Sequence, residues 1–96
     1  MQINEFQKLI KDIYYERDME RGLRATFTWF IEEVGELARA MRTNKGLEEE
    51  FADVSAWIFQ LATFVGVDME KALKRYRDGC PKCGKLPCTC NPPSKC

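Results

Sequence analysis

A chain of 96 residues is sized for one domain, and so short a domain has a thin core unless a partner subunit or a metal staple adds to it. Fifteen basic residues balance fifteen acidic ones, a formal net charge of zero that speaks against a general nucleic-acid binder. No run approaches the ~20 apolar residues of a membrane span, and the N-terminus lacks an apolar signal region, so a cytoplasmic protein with no membrane partner is expected.

Up to about Asp78 the chain reads as helix, with no proline and little glycine. A first helix is expected from Ile3 to Met19, because Phe6, Leu9, Ile10 and Ile13 recur at helical spacing. Glu20 to Gly22 ends it. A second helix is expected from Arg24 to Thr43, with an apolar stripe of Phe27, Phe30, Ile31, Val34, Leu37, Ala38 and Met41. Asn44-Lys45-Gly46 then supplies residues that tolerate a left-handed C-cap. The third helix, Leu47 to Val65, carries Leu47, Phe51, Val54, Ile58, Leu61, Ala62 and Val65 as its stripe. Gly66 stops it, and Asp68 is the expected N-cap of a fourth helix running from Met69 to about Arg77.

Short connections favour antiparallel neighbours. The expected fold is therefore all-α, a small antiparallel helical bundle over residues 1–78. Residues 79–96 form a short cysteine-rich tail holding all four prolines and all five cysteines.

Beside the apolar stripe of the second helix runs a strip of Trp29, Glu33, Glu36 and Ala40. The third helix repeats the arrangement with Glu50, Asp53, Trp57 and Phe64. Folding the two helices back at Asn44 to Gly46 brings Glu36 and Asp53 to similar heights, with Glu33 and Glu50 within about a turn of them. Four carboxylates facing one another repel, and a divalent cation relieves the repulsion. With no histidine in the chain and only oxygen donors in the cluster, Mg²⁺, Mn²⁺ or Ca²⁺ suits it better than zinc or iron. Magnesium characteristically binds through a few carboxylates plus substrate phosphates. Glu48 and Glu49 read as solvated residues at the favourable end of the helix dipole.

Glu32-Glu33-Val34-Gly35-Glu36, a spacer, then Glu50-Phe51-Ala52-Asp53 resembles the EExxE and ExxD signature of the MazG-type nucleotide pyrophosphohydrolases, over roughly residues 3 to 78. The resemblance implies an all-α fold, dependence on Mg²⁺ or Mn²⁺, and cleavage of a nucleoside triphosphate to the monophosphate and pyrophosphate. It implies Glu33, Glu36, Glu50 and Asp53 as metal ligands, with Glu32 behind them or on an additional ion. Metal-activated water would attack the α-phosphorus, with Glu32 or Glu36 as the available base. Many relatives carry Asn, Lys and Arg together after the last helix. Here Lys71, Lys74, Arg75 and Arg77 are present, but no Asn follows until Asn91. Arg17, Arg21 and Arg24 also flank the first turn, within reach of a triphosphate, and Trp29 and Trp57 are candidates to stack on a base.

In the tail, Cys80-Pro-Lys-Cys83-Gly84 is a zinc-knuckle sequence. Cys88 and Cys90 would complete a tetrahedral four-thiolate zinc site, with Cys96 able to replace one of them. The odd cysteine count and absent secretion signal argue against disulfides.

Large apolar residues on both strips and stripes, and Phe59 on the side of the third helix away from the acids, exceed what three or four short helices can cover. A homo-oligomer, dimer or tetramer, is expected. The alternative to an enzyme is a non-catalytic, zinc-tailed protein-interaction module. A ferritin-like di-metal protein would want Glu-x-x-His pairs, which this chain lacks.

Overall fold

The computed structural model describes residues 1–91. Its elements are α1 (Ile3–Arg21), α2 (Leu23–Thr43), α3 (Leu47–Phe64) and α4 (Met69–Leu73), with a 3₁₀ turn at Lys74–Tyr76. No strand occurs among the described residues. Cys96, the alternative thiolate ligand, lies outside them.

The helices end where the sequence supplies a reason. α1 runs two residues beyond Met19 and stops at Gly22, whose φ of 91° and ψ of 161° belong to a region that residues with a β-carbon rarely enter. α2 begins at the very next residue. Asn44 takes the left-handed conformation that closes α2, φ 56° and ψ 38°. Asp68 caps α4 by accepting from the Lys71 amide at 3.2 Å.

The bundle is antiparallel, with α2 against α3 as its largest contact and α1 lying across α3. Phe6 of α1 meets Phe59 of α3 edge-on, ring centroids 5.0 Å apart. Phe59, expected on the side of the third helix away from the acids, is met there by α1. Gln7 fastens the far end. Its amide donates to Thr63 Oγ1 at 3.1 Å and to the Val67 carbonyl at 2.8 Å, and its Oε1 accepts from Met69 N at 2.9 Å. α4 is thereby fixed on the N-terminal end of α1.

The core is small. Among the described residues the buried apolar side chains are Ile10, Ala40 and Ala62. The stripes expected to face inward are largely in solvent: Phe27 is 52% exposed, Phe51 52%, Val65 60% and Met41 62%. What α2 turns inward is a line between stripe and strip, with Thr26 and Ala40 buried and Phe30, Glu33 and Leu37 half-buried, while Trp29 and Glu36 of the strip are exposed. The radius of gyration, 15.8 Å, exceeds the ~12–13 Å of a compact chain of this length. One chain thus encloses a polar seam and leaves its broadest apolar faces open.

Candidate functional site

The seam between α2 and α3 carries the acids. Carboxylate oxygens of Glu33, Glu50 and Asp53 lie within 4.8 Å of one another. Glu33 is placed by the inward register of α2, and Glu50 and Asp53 by the first turns of α3. Four acids were expected to converge; three do. Glu36 is exposed one turn along α2 and is not in the group, although its charge still acts on Glu33. Glu32 is exposed beside Glu33.

The electrostatics are those of an uncompensated cluster. Burial pushes the Glu33 carboxyl above its ordinary value, and the charges of Asp53, Glu50, Glu36 and Glu32 push it further. Neither of the ion pairs Lys8–Asp12 and Asp18–Arg21 involves these acids. Glu50 Oε2 is buried and has no hydrogen-bond partner, a costly arrangement for an anionic oxygen. A divalent cation answers each of these features. The donors are all oxygens, gathered closely enough to face one ion, and an all-oxygen set is what magnesium takes. The residues present therefore fit magnesium.

Beside Asp53, between α1 and α3, lies a cavity of about 160 Å³. Ile10 and Tyr14 wall it from α1 and Ala56 and Trp57 from α3, with Asp18 and Gln60 completing the lining. Trp29 and Trp57 sit 6.2 Å apart, inclined at 60°. The Arg21 guanidinium lies over both rings, 4.2 Å from Trp29 and 5.5 Å from Trp57, and bonds Asp18 Oδ1 at 2.8 Å. Arg24 lines an adjoining surface hollow with Arg21, Thr28 and Trp29. Lys74 follows α4, which docks on Asn4 and Gln7, at the end of the bundle away from the acids.

Two polar residues of this cavity escaped sequence reasoning. Asp18 and Gln60 are buried and hydrogen-bonded, Gln60 Nε2 donating to Asp18 Oδ2 at 3.1 Å across 42 positions of sequence. The available signal was Gln60 itself, a lone polar residue inside the apolar run from Trp57 to Ala62.

The tail gathers a second set of ligands. Sulfurs of Cys80, Cys83, Cys88 and Cys90 lie within 4.8 Å of one another. Cys80 and Cys90 are 3.7 Å apart, and Cys83 and Cys88 4.0 Å. A tetrahedral ion with metal–sulfur bonds of ~2.3 Å has sulfur–sulfur edges of about 3.8 Å, so these thiols are spaced for one. The knuckle depends on Gly79, where a β-carbon would come within 2.8 Å of the Lys85 carbonyl oxygen. Backbone N–H groups aim at the sulfurs. Those of Cys83 and Lys82 lower the Cys80 thiol, and those of Thr89 and Lys85 bring Cys83 down to about 6.

No curated protein matches the chain. A family model described as the MazG nucleotide pyrophosphohydrolase domain matches residues 21–82. That span contains the whole carboxylate seam.

Proposed function

The chain belongs to the MazG nucleotide pyrophosphohydrolase family, and from that membership we propose that it hydrolyses nucleoside triphosphates to the monophosphate and pyrophosphate. The observation that carries the reading is the convergence of Glu33, Glu50 and Asp53 around a buried oxygen, Glu50 Oε2, that has no partner. Magnesium, or manganese in its place, held by these residues would neutralise phosphate charge and acidify a bound water.

The chain's own groups supply the rest. Glu32 or Glu36, both exposed beside the seam, takes the proton of the attacking water. As the new bond to the α-phosphorus forms, the α–β bridging bond breaks and its electron pair leaves with pyrophosphate. Arg24, in the hollow next to Trp29, is placed to meet phosphate charge. Trp57, walling the cavity beside Asp53, offers its face to the base. Trp29, whose ring the Arg21 guanidinium covers, is the second candidate for that task. Lys74 would act on a triphosphate only across an assembly, given its position away from the acids.

The cysteine tail is read as a structural zinc site formed by Cys80, Cys83, Cys88 and Cys90. It orders the tail over residues 79–91, a segment with too little apolar content to fold alone. Residues 1–78 form the catalytic helical domain, and the setting is cytoplasmic. No helix among the described residues is long and apolar enough to cross a membrane.

The exposed stripe residues point to a homo-oligomer, a dimer or a tetramer. Full burial of a Val, Ile or Phe side chain is worth about 1.5–3 kcal/mol, and Phe27, Ile31, Phe51, Ile58 and Val65 are all exposed in one chain. Light scattering at micromolar concentration is expected to give at least twice the chain mass of 11.2 kDa. A monomer mass would remove the assembly from this reading.

The decisive experiment is a screen of ribo- and deoxyribonucleoside triphosphates with pyrophosphate detection. Magnesium- or manganese-dependent release is expected. Should no triphosphate yield pyrophosphate with either ion, the enzymatic reading fails, and a zinc-tailed interaction module is what remains.

A further inference from the structure

We propose that Gln60 reads the edge of a pyrimidine base bound between α1 and α3, its Oε1 accepting a hydrogen bond from the exocyclic amine or ring N–H of the base. The inference rests on the nucleotide reading above and names the substrate class it would select.

Gln60 is 1% exposed, in the middle of an otherwise apolar stretch of α3. Its Nε2 donates to Asp18 Oδ2 at 3.1 Å. Asp18 is held by Arg21 through Oδ1 at 2.8 Å. A carboxylate paired with a guanidinium can only accept, so the amide cannot turn over without setting oxygen against oxygen. The direction of Gln60 is therefore fixed by two residues of α1. Its Oε1 is left buried with no partner. An unpartnered buried carbonyl lowers stability, and leucine would occupy a similar volume without that cost. An acceptor that is fixed in place and unmet is what a ligand carrying an N–H would complete.

Size and surroundings select the ligand. A cavity of roughly 150 Å³ inside a protein admits benzene, and this one, about 160 Å³, is matched in size to a single six-membered ring. Ile10 and Trp57 offer apolar surface to the faces of that ring. Asp53 lies on the same cavity wall, so a base seated there keeps its phosphates near the acids. Gln60 Oε1 is sealed from solvent, while Tyr14 on the cavity wall is 45% exposed.

The test measures binding and turnover separately. Cytidine and uridine 5′-monophosphate are titrated calorimetrically into the magnesium-loaded protein, with adenosine 5′-monophosphate and ribose 5-phosphate as comparisons. The pyrimidine nucleotides are expected to bind at least ~10-fold more tightly than the others. Gln60→Leu should abolish that margin and leave ribose 5-phosphate binding unchanged, because a built hydrogen-bonding site discriminates by the bond it would leave unmade. In turnover, the substitution should raise KM for pyrimidine triphosphates about 10-fold or more. Ala56→Leu, which fills the cavity from another wall residue, should reproduce the loss and decides the matter if Gln60→Leu does not fold. Wild type that binds all four ligands alike overturns the inference, as does a pyrimidine margin that survives both substitutions. Pyrophosphate release without base preference would overturn this inference and leave the proposed activity standing. Gln60-dependent pyrimidine binding with no hydrolysis would support the pocket while removing the activity.

Discussion

Replacing Asp53 with Asn is expected to reduce magnesium-dependent pyrophosphate release at least ~100-fold, beyond the usual loss on mutating a residue that merely supports a metal ligand. The same protein without metal should be no less stable than wild type. Glu33, Glu50 and Asp53 are gathered within 4.8 Å of one another, and the ion pairs of α1 lie elsewhere. Removing one charge therefore relieves repulsion. Glu33→Gln should show the same pairing of lost activity with retained or raised apo stability, and its pH dependence carries a definite sign. The folded-state pKa of Glu33 is raised by burial first and by Asp53, Glu50, Glu36 and Glu32 after it. An ionised carboxylate with a raised pKa costs stability, so its cost is fully present above the folded value. That cost fades as pH falls and is gone below the ordinary value of 4.5. The Glu33→Gln advantage in thermal melts without metal should thus be largest near neutrality and vanish in acid. Saturating magnesium should reverse the order, because an ion that binds only the folded wild type stabilises it by mass action. Glu49→Gln, at an exposed position beside the seam, should stay within about 0.5 kcal/mol of wild type. If Asp53→Asn instead lowers apo stability by ~1 kcal/mol or more, and wild type gains nothing from magnesium, the acids are structural.

Protein purified without added metal is expected to carry one zinc per chain, and stripping it should free four reactive thiols while leaving the helical signal intact. The separation follows from the fold: α1, α2 and α3 draw their contacts from one another. Cys83→Ser should lower zinc content below half an equivalent. In the stripped protein the thiols should alkylate rapidly, and the pH profile has a sign here too. Cys83, brought down to about 6 by the amides of Thr89 and Lys85, is already thiolate at neutral pH. Its alkylation rate should level off above roughly pH 7, where an ordinary thiol would still be gaining anion. Elemental analysis that finds less than about half an equivalent of zinc, and no other thiophilic metal, would count heavily against a structural four-thiolate site.

The helix limits were legible because Asn44, Gly46, Gly66 and Asp68 are local signals, each acting on its own neighbours. The acids were legible because their spacing marks one face of each helix. The inward register of α2 was not. Its wheel shows an apolar stripe with an acidic strip beside it, and a lone helix would bury the stripe. In this chain a line of Thr26, Phe30, Glu33, Leu37 and Ala40 turns in, and Phe27, Ile31 and Met41 of the stripe turn out together with Trp29 and Glu36 of the strip. Glu36 fell outside the cluster for the same reason, since a small rotation of α2 favours Glu33 over it. Asp18 and Gln60 were unreadable because their partnership spans 42 positions and exists only once α1 lies across α3.

That crossing depends on one backbone torsion. At Gly22 a β-carbon would touch no atom within 4 Å, so the obstacle to any other residue is φ of 91° alone. With a side chain there, continued helix becomes the easier course, and residues 3–43 would form a single rod of about 60 Å, a length that small-angle scattering would register. α1 could then reach only the α3 of another molecule, exchanging identical segments between copies. Asp18 and Arg21 would still meet a Gln60, but a neighbour's, and a cavity completed in cis would become one completed in trans.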